Sequence, residues 1–126
     1  MELELDILPV KSWLPNIDNP LLIAGPCSLE TEEQTLATAR ELVKDKRVFV
    51  YRGGVWKPRT RPGSFEGVGS IGLEWLKRVK EETGLLVGTE VANAQHTEEC
   101  LKAGVDVFWI GARSTGSPFV VQEIAD

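Results

Sequence analysis

The feature that most constrains this chain is an alternation repeated four times. A short apolar run meets a polar, glycine-bearing turn, and a stretch with apolar residues at helical spacing follows. Leu21-Leu22-Ile23-Ala24 stops at Gly25-Pro26, and Val48-Phe49-Val50-Tyr51 runs into Arg52-Gly53-Gly54. Leu85-Leu86-Val87 closes at Gly88-Thr89-Glu90, and Val105 to Ile110 ends at Gly111. Short, continuously apolar runs rich in β-formers suit strands covered on both faces. Between them, Thr31-Glu32-Glu33-Gln34 fits a capping box with Gln34 at the N3 position. Leu36, Ala39, Leu42 and Val43 then recur at helical spacing, and Leu73, Leu76, Val79 and Lys80 form a second stripe. A third helix is predicted from about Ala94 to Ala103, stopped by Gly104. A fourth is predicted over Pro118 to Ala125, with Ser117 as its cap and Pro118 in its first turn. Strands alternating with helices in this way predict an α/β fold with a parallel sheet.

A closed eightfold (β/α) barrel takes about 250 residues, whereas this chain has 126 residues. The reading is therefore of a TIM barrel's first four βα units of eight, a truncated barrel over residues 20–126. Residues 1–19 form an N-terminal extension, in which Leu3, Leu5, Ile7 and Val10 are placed for a short strand or hairpin over the barrel base. By length alone, a complete four-stranded α/β domain fits equally well. The distribution of polar residues decides between them.

Composition serves mainly to exclude. A net charge of -5 argues against general nucleic-acid binding, which draws on a basic surface. The opening Met1 to Asp6 is acidic where a secretory signal would be basic, and no apolar run approaches the ~18 residues of a membrane span. Cys27 and Cys100 share no paired spacing. A cytoplasmic protein with reduced thiols is the expectation.

Every predicted strand ends in residues that a core does not need: Cys27 and Ser28 after the first, Arg52 after the second, Thr89 and Glu90 at the third, Arg113 after the fourth. In parallel α/β folds these ends open on one face, where sites are built. The segment Arg47 to Arg61 carries Arg47, Arg52, Lys57, Arg59 and Arg61 without an acid among them. Such cations beside Gly53-Gly54 suit small phosphate or carboxylate groups, Arg as a planar fork and Lys as a point charge. A merely solvated basic loop is the plainer alternative, against which Trp56, Pro58 and Gly63 stiffen the segment. Gly67-Val68-Gly69-Ser70-Ile71-Gly72 matches the dinucleotide-binding glycine pattern, but that pattern must follow the first strand directly. Here it follows a long loop after the second, so a dinucleotide site is rejected. Cys27 suits a nucleophile, a metal ligand or a buried apolar residue. Glu90 suits a general base, a neighbour of a metal or the partner of an arginine. His96 reads as a surface residue in a first helical turn, and Cys100 as a buried one.

Ala24-Gly25-Pro26-Cys27-Ser28, Tyr51-Arg52-Gly53-Gly54, Lys57-Pro58-Arg59-Thr60, Gly88-Thr89-Glu90 and Ile110-Gly111-Ala112-Arg113, in that order, together resemble the 3-deoxy-D-arabino-heptulosonate 7-phosphate (DAHP) synthase family. The resemblance implies an enzyme that condenses phosphoenolpyruvate with erythrose 4-phosphate in the first step of the shikimate pathway, which leads to the aromatic amino acids. The sister family, the synthases of 3-deoxy-D-manno-octulosonate 8-phosphate (KDO8P), uses arabinose 5-phosphate and is the alternative. Its members have a Lys-Ala-Asn type segment where this chain has Lys57-Pro58-Arg59-Thr60. Arg61 stands where DAHP synthases commonly carry serine.

By this resemblance Cys27 is one ligand of a divalent metal ion whose other ligands lie beyond residue 126. Arg52, Lys57, Ala112 and Arg113 hold phosphoenolpyruvate, Arg59 and Thr60 grip the erythrose 4-phosphate, and Glu90 lies at the reacting water, with Lys57 and Glu90 counted as catalytic. The open sheet edge and exposed apolar face of such a half-barrel favour pairing with a second copy, so a homo-oligomer is expected. Ser117 to Glu123 look closest to a bacterial subgroup fused to a chorismate mutase domain. The chain alone is expected to be inactive. A non-catalytic phosphate-binding or assembly half-barrel is the reading from a different class.

Overall fold

The computed structural model describes residues 7–14, 20–59 and 61–126. Its frame is four parallel strands in the order of the chain: β1 (Leu22–Ala24), β2 (Val48–Arg52), β3 (Leu86–Val91) and β4 (Val107–Ile110). Tyr51 pairs with Ala24 on one side and Val87 on the other, and Gly88 lies beside both Arg52 and Val107. Sequential parallel order with a helix in every crossover is the arrangement expected of consecutive βα units.

The crossovers are α2 (Glu32–Leu42), α3 (Ile71–Thr83) and α4 (Ala94–Ala103). A one-turn α1 (Val10–Trp13) precedes the sheet, and α5 (Ala112–Thr115) and α6 (Pro118–Ala125) follow it. Local chemistry explains the helix bounds. The Thr31 side chain accepts from the Gln34 N–H at 3.0 Å, and the Gln34 side chain accepts from the Glu30 N–H at 2.9 Å. This is the reciprocal capping box, with its return bond shifted one residue outward. Asn93 caps α4 by accepting from the His96 N–H at 2.8 Å, and Gly104 ends that helix at φ 76°. Ser117 occupies the cap position of α6 but makes no side-chain cap bond, so Pro118 alone marks that start.

Side chains alternate across the sheet. Tyr51, Val87 and Val91 are buried together with Leu73, Leu76 and Val79 of α3 in one core. Full burial of each such aliphatic side chain contributes about 2 kcal/mol. The Tyr51 hydroxyl donates to the Thr35 carbonyl of α2 at 3.2 Å, and burial pushes the phenol pKa up. Arg40–Glu82 and Arg78–Glu32 ion pairs tie α2 to α3 on the outside.

Two expectations change and one element is added. Ile7 has no regular structure and Val10 opens a helix, so those two form no strand; Leu3 and Leu5 lie outside the described residues. The fourth strand begins at Val107, because Asp106 is held elsewhere: it accepts from the Val87 N–H at 3.0 Å and pairs with Lys80 at 2.8 Å. The one-turn α5 follows β4 unannounced by any apolar periodicity.

Candidate active site at the carboxyl ends of the strands

The site is built where β1 and β2 stay zipped beyond their regular ends. Gly54 N–H donates to the Cys27 carbonyl at 3.1 Å, and Leu29 N–H donates to the Gly54 carbonyl at 3.0 Å. This pairing sets Cys27 beside the start of the loop that carries Lys57. The Lys57 ammonium folds back to within 3.0 Å of the Cys27 sulfur. Gly54 permits that approach, since a Cβ there would stand 2.9 Å from Lys57 Nζ and 2.7 Å from the Cys27 carbonyl oxygen. The hydrogen bond and charge of Lys57, with a smaller contribution from Arg52, hold the Cys27 thiol below its ordinary pKa. Cys27 is exposed, so of the three roles open to it the buried apolar one is removed. An accessible thiol with a lowered pKa suits a ligand or a nucleophile.

Arg52 ends β2 on the concave face. Its guanidinium carbon lies 5.0 Å from the centre of the Trp109 ring, a cation–π contact across the sheet. Its Nε is buried and without a hydrogen-bond partner among the described residues. A buried, unpaired donor on a charged group is costly, and an anion would satisfy it. Around it Ile23, Val50, Gly88, Val107 and Trp109 line an open hollow of about 270 Å³.

Glu90, at the end of β3, lies against the backbone of Gly111, where any Cβ would overlap its carboxylate. It makes no ion pair among the described residues, so the arginine-paired reading is set aside. Ala112 and Arg113 lie on the exposed turn α5, and no side-chain hydrogen bond or ion pair of Arg113 is found among the described residues. Arg59 is exposed, and its Nε donates to the Phe65 carbonyl at 2.8 Å, closing the loop on itself. Thr60 lies outside the described residues. Arg47 does not join this group: it precedes β2, at the opposite end, where its guanidinium meets Asp45 at 2.7 Å. The cationic run is thus divided by the strand it spans.

Lys57 N–H donates to the Glu66 carbonyl at 2.7 Å, and Gly69 N–H to the Val55 carbonyl at 2.8 Å. The loop is therefore folded, and Gly67 and Gly72 pack against Val55, which accounts for the glycine pattern without a nucleotide. His96 is not a bare surface residue. Its ring stacks on Trp56 with centroids 3.8 Å apart and planes 4° from parallel, and its Nδ1 accepts from the Ala92 N–H at 3.1 Å. Burial lowers its pKa. Such a pair adds about 1 kcal/mol beyond the area it covers. No periodicity or spacing in the sequence signals this contact between a loop and a helix.

No group of three or more His, Cys, Asp or Glu side chains among the described residues could hold a metal ion. Any metal role for Cys27 would therefore need donors beyond the described residues.

Residues 15–126 match the model of the DAHP synthetase I family. The chain belongs to that family. It is 41% identical over 93 residues to the phospho-2-dehydro-3-deoxyheptonate aldolase of Thermotoga maritima, covering 74% of this chain and 27% of that protein. It is also 39% identical over 98 residues to the 2-dehydro-3-deoxyphosphooctonate aldolase of Paraburkholderia phymatum, covering 72% of this chain and 34% of that one. The crystal structure of the Thermotoga maritima phospho-2-dehydro-3-deoxyheptonate aldolase (DAHP synthase) matches with a TM-score of 0.70 at 34% identity, covering 82% of this chain and 29% of the other. The four βα units match the N-terminal half of a TIM-type barrel. The chain spans about a quarter to a third of the length of these two relatives. No helix among the described residues is long and apolar enough to cross a membrane.

Proposed function

We propose that these four βα units carry the phosphoenolpyruvate-binding arc of a DAHP synthase, a cytoplasmic transferase joining that substrate to erythrose 4-phosphate in the shikimate pathway. The observation that carries the reading is the convergence of Arg52, Lys57 and Cys27 at the carboxyl ends of β1 and β2, with a buried Arg52 donor left unpaired among the described residues. Arg52 and Lys57 supply charge to the phosphate and carboxylate of phosphoenolpyruvate. The amide and side chain of Arg113, on the turn after β4, complete its grip beside Ala112. Arg59 and Thr60, at the far side of the Lys57 loop, take the aldose phosphate.

In the condensation, the enol carbon of phosphoenolpyruvate attacks the aldehyde carbon. Water adds to the neighbouring carbon, and inorganic phosphate leaves. Glu90 would accept a proton from that water, a role consistent with its lying against Gly111 without an ion pair among the described residues. Fixing two anionic substrates side by side gains orientation as well as charge neutralisation. Cys27 fits one ligand of a divalent cation, as an exposed thiol whose ionised form is favoured, with the remaining donors from outside these residues. When bound, the cation supplies Lewis-acid polarisation of the aldehyde.

The Pro58-Arg59-Thr60 segment favours the four-carbon acceptor over arabinose 5-phosphate, the acceptor of the KDO8P branch. Isothermal titration of the chain with phosphoenolpyruvate tests the binding arc. Arg52→Ala should weaken affinity at least tenfold while leaving the melting temperature within a few degrees. Equal, small losses from Arg52→Ala and Arg47→Ala would mean a nonspecific basic surface and would sink the reading. Turnover by these 126 residues alone is expected to be absent, because no group of three or more His, Cys, Asp or Glu side chains among the described residues could hold the metal.

A further inference from the structure

We propose that His96 is a positioning residue for Lys57, acting through the face of Trp56. The inference rests on the reading of Lys57 as a phosphoenolpyruvate ligand, and it names a determinant of that site outside the strand ends. Three observations converge. Trp56 is the residue immediately before Lys57, and it is packed against the core on one side and the imidazole on the other. The imidazole is itself immobilised. Its Nδ1 accepts from the Ala92 N–H, two residues beyond Glu90, while its own backbone N–H is capped by Asn93. The two rings lie 3.8 Å apart and 4° from parallel, so a tilt of either moves the other.

The stack therefore joins two arms of the site that share no other described side-chain hydrogen bond. One arm is the β2 loop bearing Lys57, and the other is the β3 end bearing Glu90. Because Nδ1 accepts from the Ala92 N–H, the ring plane is fixed relative to that backbone. A plane fixed this way is a platform, and the Trp56 side chain resting on it limits the directions in which the following Lys57 can leave the backbone. The Lys57 N–H bond to the Glu66 carbonyl fixes that backbone from the other side.

The test uses the 126-residue chain, phosphoenolpyruvate as probe, and the Lys57 backbone amide resonance as a position reading that needs no ligand. His96→Ala removes platform and acceptor, His96→Phe keeps the platform, and His96→Asn keeps an acceptor without the platform. The expected result is a displaced Lys57 amide and roughly tenfold weaker binding in His96→Ala. His96→Phe should restore most of both, and His96→Asn should restore neither. Rescue by His96→Asn instead of His96→Phe would reduce His96 to a brace for its own turn and overturn the proposal. An unmoved Lys57 amide in His96→Ala would overturn it too, whatever the affinity. A displaced amide in a chain whose wild type does not bind phosphoenolpyruvate would uphold the coupling and reject the assigned ligand. Melting temperatures of all three variants within a few degrees of wild type separate positioning from loss of fold, and Trp56→Phe against Trp56→Ala repeats the comparison from the other ring.

Discussion

The two ends of the sheet are made from similar residues arranged to opposite purpose. At the amino ends, charges come with their partners. Asp106 binds Lys80 and the Val87 N–H, Lys80 also donates to the Gly104 carbonyl at 3.2 Å, and Arg47 is clasped by Asp45. At the carboxyl ends, Arg52, Lys57, Arg113 and Glu90 form no ion pairs with one another or with other described residues. Lys57 turns to a thiol, and Arg52 lies over an indole. One end has spent its electrostatics on folding. The other keeps them available, which is what a ligand-binding edge needs, since an ion pair already formed within the protein competes with an anionic substrate.

The sharpest way to break this contrast is Asp106→Ala. It strips a mostly buried carboxylate from an ammonium and a backbone N–H, and should cost about 2 kcal/mol of stability. Urea unfolding would show it, while phosphoenolpyruvate affinity should hold once the protein is folded; a parallel loss of affinity would mean the ends are not independent.

A smaller effect separates the two cysteines. Cys100 is buried, with its thiol pushed up to about 12, whereas Cys27 is exposed and its pKa is lowered by Lys57. A lowered pKa means more thiolate at neutral pH, so iodoacetamide should modify Cys27 first and keep doing so as pH falls below the ordinary thiol range. Lys57→Met should move that profile to higher pH. Equal labelling of both thiols would contradict the ammonium–thiol contact. The smallest effect belongs to Arg47→Ala. The arginine of the pair with Asp45 is largely exposed and the carboxylate partly so, so neither stability nor affinity should change measurably, although that contact holds the Asp45 pKa down to about 2.

How much of this was legible depended on whether the cause was local. Helix α4 runs Ala94–Ala103 as expected, because its stop signal at Gly104 lies within the segment itself. The strand ends were legible through glycine and the loss of apolar character. What escaped depended on distant partners. Val105-Asp106 looks like strand but is withdrawn from it by Lys80, which sits on α3. Arg47 looked like a member of the cationic group because adjacency in sequence hides that a strand carries its two ends apart. Trp56 and His96 lie forty residues apart, and only the fold of the intervening loop and helix brings them together. Cys27, Arg52, Glu90 and Arg113 lie at or just beyond the carboxyl ends of β1 to β4, where the parallel order brings these ends to one edge.

The sequential strand order has a kinetic consequence. Each new strand pairs with the one made immediately before it, so every crossover closes a local loop and no strand waits for a distant partner. A chain emerging from the ribosome can then add one unit at a time to a growing edge, with Cys27 meeting the Lys57 loop as soon as the second unit docks. The binding edge is assembled in the order in which it is translated.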